Sequence, residues 1–81
     1  MNIFKNNIDK LPKYVFVNNV PYNLVILGRE GWKVMYTHPQ TNRICPLITN
    51  DYNQDLLIVV DYNFNKAVNL MLNKLKEYKI I

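Results

Sequence analysis

Trp32-Lys33-Val34-Met35-Tyr36-Thr37 is the stretch on which the fold turns. Trp32, Val34 and Tyr36 alternate with Lys33, Met35 and Thr37, the two-residue period of a half-buried β-strand. Just upstream, Gly28-Arg29-Glu30-Gly31 holds both glycines of the chain and reads as a turn. Before that turn, Val20 to Leu27 makes another strand, with Tyr22, Leu24 and Ile26 on one face and Asn23, Val25 and Leu27 on the other. Asn18-Asn19 separates it from Tyr14-Val15-Phe16-Val17. Asn tolerates the positive φ of a type I′ turn, so this pair predicts a two-residue hairpin loop.

Downstream, residues 38–42 read as a loop and Arg43 to Thr49 as a further strand. Pro46 has no N–H to give a ladder, which places that strand at an edge or bulge. A polar turn over Asn50 to Gln54 leads to Leu56-Leu57-Ile58-Val59-Val60, a short apolar strand. Strands joined by tight turns predict an antiparallel meander of four to five strands.

The chain ends in a helix. Asn63 is a good N-cap, and Ala67, Val68, Met71, Leu75 and Tyr78 then recur at helical spacing. Lys74, Lys76 and Lys79 gather where cations complement the negative end of the helix dipole. Leu70 and Leu72 widen the apolar arc beyond the ~100° stripe that one neighbouring layer covers. The expected fold is α+β: one domain over 1–81, with a short N-terminal helix or turn in 1–12, an antiparallel sheet in 13–60, and a helix over 63–79 packed on one sheet face. If the helix covers one face, then Val25, Leu27, Met35 and Ile44 need cover from residues 1–11 or from an interface.

Composition narrows the functional classes. The chain has 81 residues, 49% of them hydrophobic and 20% charged, which suits a folded globule. Its length allows one core of marginal stability, which self-association would reinforce. No apolar run approaches the ~20 residues that span a bilayer, and Met1-Asn2-Ile3-Phe4-Lys5-Asn6 lacks the pattern of a signal peptide. With Cys45 as the single cysteine, the expected location is the cytoplasm. The net charge of +4 would attract acidic partners at long range.

Catalytic and metal chemistry lacks its usual parts. The chain has no Ser, so no serine triad can form. His38 and Cys45 are single residues of their kinds, too few for a structural zinc site. Flanked by Ile44, Pro46 and Leu47, Cys45 reads as a buried, inert thiol. Asp51 to Asp55 begins like a calcium loop, but Leu56 occupies the position that needs Gly and Tyr62 the position that needs Glu. Neither glycine belongs to a phosphate-binding motif. The expectation is a chain with no enzymatic activity, no metal and no cofactor.

Binding is what remains. Trp32 and Tyr36 are aromatic candidates for a protein interface, joined by Leu70, Leu72, Ile80 and Ile81. The alternative is a nucleic-acid surface built from Lys66, Lys74, Lys76 and Lys79 at the lysine-rich end of the helix, with tyrosines such as Tyr14 and Tyr52 for stacking. Against it, Arg is scarce and no nucleic-acid-binding motif appears. An Asn, Lys, Ile and Tyr bias points to an AT-rich coding genome. In size, composition and layout the chain resembles the small proteins encoded by phages and mobile elements of low-GC bacteria. That resemblance implies a non-enzymatic, stoichiometric inhibitor of a host protein such as a nuclease or defence factor, and a homodimer is expected with it. It assigns no functional residue.

Overall fold

The computed structural model describes residues 7–48 and 54–81. Ile3 and Phe4 of the expected N-terminal turn, the end of the strand at Thr49, and the polar turn at 50–53 lie outside the described residues.

The fold is α+β. Strands β1 (Tyr14–Val17), β2 (Val20–Gly28), β3 (Trp32–Thr37) and β6 (Ile58–Asp61) form an antiparallel four-stranded sheet in the order β1-β2-β3-β6. Strands β4 (Pro46–Ile48) and β5 (Gln54–Leu56) pair as a separate two-stranded ladder, and helix α1 (Phe64–Glu77) closes the chain. A single 3₁₀ turn, Ile8–Lys10, precedes the sheet.

Local chemistry accounts for the connections. Asn18 and Asn19 take φ of 54° and 66°, so the β1–β2 turn has the positive dihedrals of a type I′ hairpin. Gly28 stands opposite Trp32 across β2 and β3. A methyl group on Gly28 would fall 2.5 Å from the Trp32 ring, so the indole lies across the bare backbone of the glycine. The ring also meets Phe64 edge-on at a centroid distance of 4.7 Å.

The apolar strand expected over residues 56–60 is divided at Leu57. Leu57 donates its N–H to Cys45 O at 2.9 Å, while its carbonyl accepts from Tyr36 N–H at 3.2 Å. One extended segment therefore exchanges partners at this residue, pairing with β4 before it and with β3 after it. The strand expected from Arg43 begins only at Pro46; Ile44 contributes an isolated bridge to Thr37.

Helix α1 begins at its expected cap, where Asn63 Oδ1 accepts from Lys66 N–H at 3.0 Å. It packs over β3 and β6, burying Ala67, Val68, Met71, Leu72 and Leu75. Those side chains join Val15, Tyr22, Val34, Tyr36, Cys45, Leu47 and Leu57 in the hydrophobic core. The helix ends with Lys79 at φ 57°, Lys79 N–H bonding Lys76 O and Ile80 N–H bonding Leu75 O. This is a Schellman motif with Lys where Gly is usual, and it turns Ile80 back onto the core.

Candidate interaction surface

Strand register decides which side chains share a face. Val15 stands opposite Tyr22, Leu24 opposite Tyr36, Ile26 opposite Val34, and Val34 opposite Val59. This set lies under the helix and belongs to, or packs on, the core. The pleat sends the alternate residues to the far side. There Leu27, Lys33 and Val60 form one row, Val25, Met35 and Ile58 a second, and Tyr14, Asn23 and Thr37 a third, with Phe16 beside Pro21 beyond them.

Among the described residues no layer covers this second face. Tyr14, Phe16, Leu27 and Val60 are 58%, 61%, 49% and 58% exposed. The rings of Tyr14 and Phe16 meet edge-on at 5.8 Å, forming an aromatic corner on the outermost strand. Met35, at the middle of the face, and Thr37 beyond it are buried, and Met35 stands outside the core cluster. Lys33 is the one charged side chain among these strand positions.

The N-terminal segment, expected as a cover for this face, lies on the other side in its described part. Leu11 is in the helix-side core. Asn7 Nδ2 donates to Asn69 Oδ1 of α1 at 2.7 Å, and the Tyr36 hydroxyl donates to Pro12 O at 2.7 Å.

The residues expected at an interface divide among several places. Tyr36 is fully buried and Leu72 nearly so, and both are corrected to core residues. Trp32 is half-buried against Gly28 and Phe64, and Ile80 packs on the core as part of the helix C-cap. Leu70 and Ile81 are exposed. Leu70 borders a groove of about 480 Å³ between α1 and β6, with Val59, Val60 and Asn73 along it. Tyr14, Phe16 and Val60 were not singled out as interface residues. The alternation of Tyr14-Val15-Phe16-Val17 carries the signal for the first two, but only the strand pairing shows that Tyr14, Phe16 and Val60 share a face with Leu27.

The four lysines considered for nucleic acid are also separated in role. Lys74 is only 17% exposed and is held by Asp55 at 3.0 Å and by Leu56 O at 2.7 Å. It thus caps carbonyls at the strand-exchange point. The Lys74 hydrogen bond, aided by Leu56 N–H and the Tyr78 hydroxyl, holds the Asp55 carboxyl below its ordinary range. Lys66 is 4.0 Å from Asp61, while Lys76 and Lys79 are exposed.

Cys45 is fully buried, and burial pushes its thiol up to about 11, so little thiolate exists at neutral pH. Its Sγ contacts Pro46 O, whereas His38 Nδ1 accepts from the backbone N–H groups of Gln40 and Thr41. The two side chains serve separate loop contacts. Among the described residues no three His, Cys, Asp or Glu side chains gather where they could hold a metal, and no helix is long and apolar enough to cross a membrane. Comparison with family models, curated proteins and solved structures finds no match.

Proposed function

We propose that this chain is a small protein-binding module that acts by occupying a partner's surface through the uncovered face of its sheet. The observation that carries the reading is that face itself, where Tyr14, Phe16, Leu27 and Val60 on β1, β2 and β6 of one sheet are each about half exposed or more. Apolar area of this kind marks interaction sites on soluble domains, and aromatic anchors dominate binding energy at interfaces. The stoichiometric-inhibitor form of the proposal, directed at a host nuclease or defence factor, adds the resemblance in size and composition to phage-encoded proteins. The face supplies the surface such a role requires.

The experiment is capture of partners by tagged wild-type protein and by a Phe16→Lys/Leu27→Lys variant, with nuclease and raised salt as parallel treatments. A protein retained by the wild type through both treatments, and lost with the variant while circular dichroism stays native, supports the proposal. Retention by both proteins moves binding to another surface. Nucleic acid that elutes only at low salt supports the lysine alternative, because phosphate contacts release counterions.

A further inference from the structure

We infer that the uncovered sheet face is the interface of a homodimer, in which two copies of this chain pack sheet face against sheet face. This rests on the reading of that face as a protein-binding surface and names its resident occupant, which any other partner would displace.

The size of the face fits a second copy. Four strands about 4.8 Å apart, followed over about six residues of about 3.3 Å rise, span roughly 20 by 20 Å. Studded with side chains, such a patch offers roughly 600–800 Å² of accessible surface, close to the ~800 Å² that each partner gives to a standard interface. Sheets meeting in this way align within about 30°.

The charge pattern permits it. Lys33 lies in the end row with Leu27 and Val60. A two-fold axis running across the strands at the level of Tyr36 leaves Lys33 about three residues, or ~10 Å, to one side. The two Lys33 ammonium groups then stand ~20 Å apart, beyond the ~8 Å Debye length, and each reaches the rim past Thr37 of the other copy. In between, the Val25, Met35 and Ile58 row of each copy meets the Tyr14, Asn23 and Thr37 row of the other.

The chain's described segments are placed elsewhere. Helix α1, residues 7–12 and Leu47 of the β4–β5 ladder all contribute to the opposite side. Association by lengthening the sheet past β6 is opposed by Lys74, whose ammonium holds Leu56 O at 2.7 Å and reaches Ile58 O at 3.5 Å. Apart from the backbone edge of β1, the face is the surface that offers apolar side chains for pairing.

Sedimentation equilibrium on the full chain, from ~1 to ~200 µM, tests this by mass action. The wild type is expected to move from its chain mass of 9.6 kDa toward twice that value. Phe16→Lys/Leu27→Lys should stay at 9.6 kDa throughout, with native circular dichroism, while Leu70→Lys on the α1–β6 groove should dimerise like the wild type. A wild type that is monomeric at every concentration overturns the inference, as does a dimer that survives the double variant. The first result leaves the binding-module reading intact if the double variant still loses a captured partner. Should the double variant fail to fold, mixed-label NMR of the wild type decides the matter. Contacts between the Leu27 methyls of one copy and the Phe16 ring of the other, which that axis brings together, support the face-to-face dimer, and their absence from a sample of dimeric mass overturns it.

Discussion

The two faces of the four-stranded sheet are built from the same strands with similar apolar content, yet they meet different fates. On one, Val34 and Tyr36 are fully buried beneath α1, in one core with its Met71 and Leu75. On the other, their sequence neighbours Lys33 and Met35 share a surface with half-exposed Leu27, Phe16 and Val60. Hydropathy is a property of the residue, whereas cover is a property of whichever element packs on top. A single helix of 14 residues spans only one side of a sheet, so apolar residues on the other side are left without its cover.

The largest expected effect tests this contrast directly. Leu75→Ala empties a fully buried site and should cost about 3 kcal/mol in urea denaturation followed by circular dichroism. Leu27→Ala, on the uncovered face of the monomer, should stay within about 0.5 kcal/mol at concentrations too low for association. Comparable losses at the two positions would show that the second face is covered within one chain.

Tyr36→Phe comes next. Removing the hydroxyl leaves Pro12 O without the 2.7 Å bond that ties the N-terminal segment to the helix side. The expected cost is about 1–2 kcal/mol by the same measurement. An unchanged stability would mean that the segment is held by Leu11 packing alone.

Lys79→Gly should act in the opposite direction. The αL conformation at φ 57° strains a side chain that has a Cβ, so glycine should raise stability by about 1 kcal/mol. A loss instead would mean that the Lys79 side chain contributes more than its backbone strain removes.

The smallest effect concerns pH. Because Lys74 lowers the Asp55 carboxyl pKa in the folded chain, Asp55 contributes stability that is present above the ordinary aspartate range. That contribution is lost as the pH falls through the folded value. With the Asp55 side chain 45% exposed, solvent screening keeps it to about 0.5 kcal/mol. Asp55→Asn should remove this acid-side slope while leaving the slope from other carboxylates, as read from denaturation midpoints between neutral and acid pH.

Much of the architecture was legible because it rests on local chemistry. The Asn18-Asn19 turn followed from the tolerance of Asn for positive φ, the helix start from the Asn63 side chain, and the β3 alternation from the pleat. The break at Leu57 was not legible, since an unbroken apolar run carries no mark of where a strand changes partners; Cys45 O and Tyr36 N–H define it. Nor was the division of the proposed interface residues. Trp32 and Tyr36 looked alike as exposed-or-core aromatics, and Leu70 and Leu72 looked alike on a wide helical arc. Their placement depends on the crossing of α1 over β3 and β6, which involves residues far apart in the chain.

From the chain of residues alone follow the α+β class, the two-residue hairpin, the helix and its N-cap, and the opposition of Leu24 and Ile26 to Val25 and Leu27. Each arises from dihedral preference or periodicity within a few neighbours. Which face the helix covers, which aromatics remain outside, and how Lys74 is taken up by Asp55 and Leu56 O arise only from packing. Those outcomes depend on competition among distant segments for the same surface, and tertiary contact is where that competition is decided.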